Sequence, residues 1–181
     1  MADLKPPLKG YSLWLEAKKS DQQFLQSLVD SLAQEHGVRS FGAHATLIGL
    51  LDKGPSDLAT IAQACEEIAS GYRDVTSEII GVGIRDMYFQ SVFLLVTPTK
   101  DLVDMNQKAR TLLGHESDSP FMPHWSALYG DITRHQKDAV AQRLITEVSF
   151  PHVVTINNIA LVDVQGYEDE WKVVRRYPMT S

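Results

Sequence analysis

The sequence has only one cysteine, no long apolar run and no excess of positive charge. Because Cys65 stands alone among 181 residues, no intramolecular disulfide can form, and we expect a reducing compartment such as the cytoplasm. Apolar runs such as residues 92–96 are far shorter than the roughly 20 residues of a membrane helix, and the first residues lack the apolar core of a signal peptide. The net charge of −6 disfavours a long nucleic acid as partner, but it leaves room for a small phosphorylated ligand.

The composition is that of a globular protein, with 44% hydrophobic and 22% charged residues. At about 100–200 residues per domain, the length predicts one domain over residues 1–181. We expect it to consist of two interwoven lobes, with approximate halves 1–86 and 87–181.

The hydrophobic pattern alternates between strand and helix periods. Strands are predicted over residues 11–15, 44–51, 76–84, 88–96, 124–129, 153–164 and 171–177, and helices over residues 20–36, 56–71, 99–114 and 133–146. Ser20 with Gln23 and Thr133 with Gln136 have the spacing of capping boxes, and Thr99 is a predicted cap. Gly71 and Gly114 are predicted to end their helices as C′ glycines. The order strand–helix–strand–helix–strand occurs twice, about 80 residues apart, with one strand added at the end. This order predicts an α+β fold with the helices outside a shared sheet system.

Two of the predicted strands begin with the same short motif, His-x-Thr/Ser. The copies are His44-Ala45-Thr46 and His124-Trp125-Ser126. A third tripeptide of this form, at residues 115–117, lies in a polar loop predicted over residues 114–123, and we interpret it as a chance match. The other two occupy equivalent positions of the repeated units, which gives them more weight than the pattern alone.

Residues i and i+2 of a strand point to the same face, about 6.5 Å apart. Each histidine therefore has a hydroxyl beside it. If a pseudo-twofold relation brings the strands together, two imidazoles and two hydroxyls converge on one point. Such a site suits a phosphodiester, because one imidazole can accept a proton from water while the other protonates the departing oxygen. The hydroxyls can donate hydrogen bonds to the phosphate oxygens, and no metal is required.

With these motifs the sequence resembles the 2H phosphoesterases, and within them the plant and fungal 2′,3′-cyclic nucleotide phosphodiesterases. The resemblance spans nearly the whole chain and is carried by four segments, residues 11–14, 44–47, 88–95 and 120–130. The last is the most specific, since it reads Pro-Phe-Met-Pro-His-Trp-Ser-Ala-Leu-Tyr-Gly.

The resemblance implies a bilobal fold, in which two pseudo-twofold-related antiparallel sheets line a central cleft. It implies metal-independent hydrolysis of 2′,3′-cyclic nucleotides to the 2′-phosphate, or of ADP-ribose 1″,2″-cyclic phosphate, a late product of tRNA splicing, to the 1″-phosphate. His44 and His124 would be the acid–base pair. Thr46 and Ser126 would bind phosphate oxygens, and Trp14, Phe89 and Tyr129 match aromatic positions of the cleft. No cofactor is implied, and we expect a monomer.

The chain departs from the family pattern at two points. Ala43 precedes the first histidine where the family often has proline, and the cysteine pairs of plant members are absent. Tyr129 lies five residues after His124, so it reaches the cleft only if the strand bulges or ends before it.

Structural interpretations remain open for several residues. Trp14 and Phe89 can be core residues as well as cleft residues, Trp125 is expected in the core, and Trp171 is ambiguous. Buried Cys65 is expected to be inert packing. His36 fits the end of a helix, and three other histidines are expected to face solvent, namely His115, His135 and His152. Three cations are candidates for a place near the phosphate, namely Arg39, Lys53 and Arg85.

Two other functions remain open at this point. One is a 2H enzyme that acts on 2′-5′ linked oligonucleotides or on RNA ends with a cyclic phosphate, and the other is a nucleotide-binding module without catalysis. A metal site is disfavoured because no His-x-His, His-x-x-x-His or carboxylate pair lies near either motif, and no P-loop or dinucleotide fingerprint occurs.

Overall fold

The computed structural model describes residues 4–115 and 120–180. Within these ranges the strands are β1 (Tyr11–Ala17), β2 (Ala45–Leu51), β3 (Val75–Ile84), β4 (Val92–Val96), β5 (His124–Leu128), β6 (His152–Asp163) and β7 (Lys172–Pro178). The helices are α1 (Lys19–His36), α2 (Leu58–Ser70), α3 (Lys100–Leu113) and α4 (Arg134–Glu147). No helix in the described part of the chain combines the length and the apolarity needed to cross a membrane.

Antiparallel hydrogen bonds join the strands in the order β1-β2-β5-β4-β3-β6-β7, and β1 pairs with β6 as well. The long strand β6 links two runs of strands, since residues 152–156 pair with β3 while residues 158–163 pair with β7. The other link is a single residue pair between β2 and β5. The predicted α+β class is therefore confirmed, and the two predicted sheets are joined into one hydrogen-bonded system.

Helices pack against the sheet and bury much of it. All seven residues of β1 are buried, and α1 packs against β1 and β5. Helix α2 packs against β6, β7 and α3, while α3 also contacts β2, and α4 covers β3 and β4. The helices therefore lie against the sheet as the sequence pattern predicts, and their apolar faces form the main core together with it.

Two predicted helix starts and one predicted helix end are confirmed. Thr99 accepts a hydrogen bond from the backbone N–H of Leu102 at the start of α3. Thr133 and Gln136 form a capping box at α4, in which each side chain accepts from the other residue's backbone N–H. Gly114 ends α3 with φ of 61°, a left-handed conformation that glycine adopts without steric cost.

The capping box predicted at Ser20 is wrong. Helix α1 begins before it, at Lys19, so Ser20 lies inside the first turn. The Gln22 side chain instead accepts a hydrogen bond from the N–H of Ala17 and donates one to the carbonyl of Ala43. Tertiary contacts therefore define this helix start.

Helix α2 ends next to Gly71 as predicted, but the conformation of Gly71 and the predicted strand over residues 88–96 differ from the structure. Gly71 follows α2 with φ of −86°, so it is not a left-handed cap. The predicted strand is divided into one 3₁₀ turn, Tyr88–Gln90, and strand β4. The hydroxyl of Ser91 donates to the carbonyl of Gly130, and the N–H of Gly130 donates to the carbonyl of Tyr88, so this turn is tied to the end of β5. The chance motif at residues 115–117 lies partly outside the described residues.

Candidate active site

The two His-x-Thr/Ser motifs lie directly opposite each other. Strands β2 and β5 meet at one antiparallel pair, Ala45 with Trp125, which are the central residues of the two motifs. In an antiparallel pair the flanking residues of both strands point to one face and the central residues to the other. His44, which directly precedes β2, and Thr46 of β2 therefore share a face with His124 of β5.

The other face belongs to the core. Ala45 and Trp125 are 2% and 1% exposed, respectively. The expectation that Trp125 packs in the core agrees with this position.

Both histidines line one cavity of about 740 Å³. This volume is within the range of small-molecule sites. The lining also includes residues of β1, β2 and α3, of the turn after β3, of the segments on either side of β5 and of the segment before β7. Among them are Trp14, Thr46, Arg85, Phe89, Gln90, Asn106, Arg110, Phe121, Tyr129 and Trp171. No aspartate or glutamate occurs among the described residues of this lining, so the cavity favours an anionic ligand although the whole chain is acidic.

The two imidazoles are held in the same way. Nδ1 of His44 lies 2.6 Å from the carbonyl oxygen of Gly42, and Nδ1 of His124 lies 2.9 Å from the carbonyl oxygen of Met122. A carbonyl can only accept, so each Nδ1 carries the hydrogen. In the neutral ring Nε2 then keeps a lone pair that can accept a proton. The two copies of the motif therefore hold their histidines through the same kind of backbone hydrogen bond.

Burial favours the neutral form of both rings. It lowers the pKa of His44 to about 3, although the hydrogen bond to Gly42 opposes this shift and the nearby His124 adds to it. The pKa of His124 is also lowered, chiefly by burial, with a further contribution from the positive charge of Arg85 and an opposing one from the hydrogen bond to Met122. Burial therefore favours neutral imidazoles at pH 7.

Each histidine packs against an aromatic ring from the neighbouring strand. Trp14 of β1 stacks on His44, with ring centroids 3.6 Å apart and an interplanar angle of 5°. Phe93 of β4 meets His124 edge to face, with centroids 5.0 Å apart. The two aromatic residues occupy related positions, because Trp14 pairs with Thr46 and Phe93 pairs with Ser126. Sequence reasoning missed Phe93, since its place beside His124 depends on the β4–β5 register.

A glycine makes room for the Phe93 ring. A Cβ added at Gly83 would lie 2.3 Å from this ring, whereas one added at Gly81, two residues earlier on β3, would meet nothing within 4 Å. We expect Gly83→Ala to lower the free energy of unfolding by about 1–3 kcal/mol through overpacking. Gly81→Ala is the matched control and is expected to leave stability unchanged or slightly raised. Urea unfolding of both variants measures this difference, and equal effects would show that the Phe93 ring moves aside freely.

The predicted aromatic residues of the cleft line the cavity. Trp14 does so while also being 4% exposed and packed in a small core cluster, so both interpretations of this residue hold. Phe89 reaches the cavity from the Tyr88–Gln90 turn. Strand β5 ends at Leu128, so Tyr129 is free of the alternation that would turn it away, and its hydroxyl oxygen lies 3.4 Å from Nε2 of His44. The ambiguous Trp171 also lines the cavity, beside Trp14 and Phe89.

The two motif hydroxyls differ in their surroundings. Thr46 lines the cavity, whereas Ser126 is 5% exposed and is not among the lining residues. Ser126 also lies near the hydroxyl of Tyr129. Burial raises the pKa of Tyr129, and the neighbouring Ser126 acts in the opposite direction. A phosphate contact from Ser126 therefore remains a prediction.

The remaining histidines and the cysteine differ in how well they match expectation. His115 lines the cavity, and His152 is half-buried and stacks on Phe24, so the prediction that both face solvent is wrong. His135 is exposed on α4, and His36 lies at the end of α1, as expected. Cys65 is fully buried, which raises the pKa of its thiol to about 12 and makes it a poor nucleophile.

Two polar residues of the cavity were not singled out from the sequence. The hydroxyl of Ser12 donates to the carbonyl of Ile48 and accepts from Nε1 of Trp14. Ser12 and Trp14 are two residues apart on β1 and therefore point to the same face, so their contact could have been predicted from the sequence. Asn106 donates to the carbonyl of Leu47, and this tertiary contact between α3 and β2 has no local signal. Across residues 4–115 and 120–180, no group of three histidine, cysteine or acidic side chains is arranged to hold a metal ion.

Comparisons with known proteins agree with this geometry. The sequence matches the family described as cyclic phosphodiesterase-like protein over residues 9–179. The cyclic phosphodiesterase of Arabidopsis thaliana is 24% identical over 139 residues, which cover 75% of this chain and 74% of that protein.

Solved structures share the fold at low identity. Escherichia coli LigT complexed with 3′-AMP has a TM-score of 0.64 at 13% identity, covering 96% of this chain and 99% of LigT. The protein TT0787 of Thermus thermophilus also has a TM-score of 0.64 at 13% identity, covering 93% and 97% of the two chains. With two paired His-x-Thr/Ser motifs whose histidines line one cavity, the chain belongs to the cyclic phosphodiesterase-like protein family of the 2H phosphoesterases.

Proposed function

We propose that this protein hydrolyses five-membered cyclic phosphates on ribose without a metal ion, with 2′,3′-cyclic nucleotides or ADP-ribose 1″,2″-cyclic phosphate as substrates. The observation that carries the proposal is the pair of imidazoles in one cavity, each held through Nδ1 by a backbone carbonyl. This arrangement leaves two Nε2 atoms for proton transfer. The similar LigT structures with 3′-AMP and with phosphate support a small nucleotide as the ligand.

The reaction needs two proton transfers and no redox step. A water oxygen attacks phosphorus while the Nε2 of one neutral imidazole accepts the proton of that water. The bond between phosphorus and one ribose oxygen breaks, and the other histidine, as imidazolium, protonates that oxygen. For a 2′,3′-cyclic nucleotide the 3′ oxygen leaves, and the phosphate stays on the 2′ oxygen. In-line placement of water and the hydroxyl of Thr46, which donates to a non-bridging oxygen, lower the barrier further.

The acid in this scheme must gain its proton as the substrate binds. Both imidazoles are neutral at pH 7 because burial lowers the pKa of each. A phosphate anion beside an imidazole favours the charged form and raises its pKa. Binding of the cyclic phosphate therefore supplies the charge that the acid requires.

Phosphorus NMR with a 2′,3′-cyclic nucleotide in excess EDTA tests this function. We expect complete turnover to the 2′-phosphate and a bell-shaped dependence of kcat/KM on pH, because one imidazole must be neutral and the other charged. Loss of turnover in EDTA and recovery with Zn²⁺ would contradict the metal-free reaction. Exclusive release of the 3′-phosphate would contradict the assigned leaving oxygen, and binding without turnover would favour a binding module.

A further inference from the structure

Of the three cations that the sequence offers for the phosphate, only Arg85 lines the cavity. The guanidinium of Arg39 pairs with Asp169 at 3.1 Å and lies over the ring of Tyr167. Lys53 follows β2 and is not a lining residue. The structure thus separates Arg85 from the two other cations, which the sequence alone could not rank.

The Arg85 guanidinium contacts the residues that hold His124. Its Nη1 donates to Oε1 of Gln90 at 2.7 Å, and its Nη2 donates to the sulfur of Met122 at 3.4 Å. The backbone carbonyl of Met122 accepts from Nδ1 of His124. The guanidinium also lies 5.9 Å from the centroid of Phe93, the ring that packs on His124. Arg85 is therefore part of the His124 side of the cavity.

Arg85 lines the cavity without an acidic partner among the described residues. In residues 4–115 and 120–180 no carboxylate lies within ion-pair distance of it. Both of its side-chain hydrogen bonds go to neutral acceptors, Gln90 and Met122. A guanidinium has five N–H donors in a planar fork that fits phosphate oxygens, and the exposed Arg85 retains donors for a ligand.

Lys137 of α4 contacts both Arg85 and the adjacent Asp86. The side chain of Lys137 is 7% exposed, and its Nζ donates to the backbone carbonyl of Arg85 at 2.9 Å. The same Nζ pairs with Oδ1 of Asp86 at 3.0 Å. This buried cation thus ties the backbone of Arg85 and the side chain of Asp86 to α4.

We propose that Arg85 binds non-bridging oxygens of the substrate phosphate beside His124, and that Lys137 is the positioning residue that holds Arg85 and Asp86 in place for this contact. The proposal rests on the proposed function, since it assigns a residue to the same site. It makes the two ends of the cavity different: His44 faces the hydroxyl of Tyr129, whereas His124 has a cation beside it.

Binding of inorganic phosphate and turnover of a 2′,3′-cyclic nucleotide are measured for wild type, Arg85→Gln and Arg85→Lys, with Arg39→Gln as the control guanidinium outside the cavity. We expect Arg85→Gln to weaken phosphate binding and to lower kcat/KM by about 10- to 100-fold, the range of lost charge-assisted hydrogen bonds. Arg85→Lys keeps the charge and loses the fork, so its effect is intermediate. Arg39→Gln is expected to match wild type. NMR titration of Arg85→Gln should show the pKa of His124 rising, because a neighbouring positive charge is removed.

The phosphate measurement separates the two proposals. Unchanged phosphate binding in Arg85→Gln overturns the assignment of Arg85, whatever the enzyme turns over. Phosphate binding that depends on Arg85, in a wild-type protein that hydrolyses no cyclic phosphate, upholds the assignment and overturns the proposed function.

Lys137→Met tests the positioning role. We expect it to reproduce part of the loss in kcat/KM on its own and to add little in the Arg85→Gln background, because both changes act through one contact. A full additional loss in that background would contradict the role of Lys137.

Discussion

His44→Gln and His124→Gln should each lower kcat for a 2′,3′-cyclic nucleotide by about 10²–10⁴-fold, the usual contribution of a general acid or base. Glutamine has a similar length and cannot exchange a proton near neutral pH. Both side chains line the cavity, and each is fixed through Nδ1. A variant without one of the two imidazoles should therefore still bind the substrate but be unable to carry out one of the two proton transfers.

The measurement is kcat from phosphorus NMR or chromatography, with inorganic phosphate binding as a check on the integrity of the cavity. His135→Gln is the matched control, because His135 is exposed on α4 and lies outside the cavity. We expect it to retain wild-type turnover. The double variant His44→Gln/His124→Gln should lose less than the product of the single losses, since the two residues act as one unit. Near-normal kcat in either single variant would contradict its assigned role.

Local patterns predicted those parts of the fold that local contacts determine. Thr99 and Thr133 were found as caps because their hydrogen bonds join residues three apart. Ser20 failed as a cap because the start of α1 depends on Gln22, which reaches Ala43 across 21 residues. Aromatic residues made residues 88–96 look like a strand, but the end of β5 holds their first part as a turn.

The residues of the site also divide into those that local patterns predict and those that depend on tertiary contacts. The repeated motif and the alternation of strands predicted that His44 and His124 meet, and their central residues do pair. Phe93 and Lys137 could not be found in this way, because their roles depend on strand register and on a contact across 52 residues. The choice of Arg85 over Arg39 depends on which cation already has an acidic partner, and that is a property of the folded chain.

Trp14→Ala should lower the free energy of unfolding by about 3–5 kcal/mol, the usual effect of removing a buried large aromatic ring. Trp14 is 4% exposed, stacks on His44 and meets Trp171 edge to face. Its Nε1 also donates to Ser12, whose hydroxyl is bonded to β2. The tryptophan thus joins β1 and β2 at the floor of the cavity. Trp14→Phe keeps a ring and loses the Ser12 hydrogen bond, so it should cost less and remain folded.

The pKa of His44 shows whether Trp14 shields this histidine from water or only fills space in the core. Burial is the main reason that this pKa is lowered to about 3, so removal of the stacked ring should raise it toward 6.5. We expect the largest rise in Trp14→Ala, a smaller one in Trp14→Phe and little change in Trp171→Phe, whose ring does not stack on His44. NMR titration measures this order. A pKa that stays low in Trp14→Ala would show that other residues exclude water from His44.

Stability at acid pH provides a second measure of the same burial. Because the pKa of His44 is lower in the folded protein, the unfolded chain binds more protons between about pH 6.5 and 3. Folding stability should therefore fall as pH decreases through this range. Wild type should lose more stability between pH 7 and 4 in urea unfolding than His44→Gln, which has no proton to bind at this position. Equal losses in the two proteins would mean that His44 is charged as easily in the folded chain as in the unfolded one, and the stacked Trp14 would then not exclude water from it.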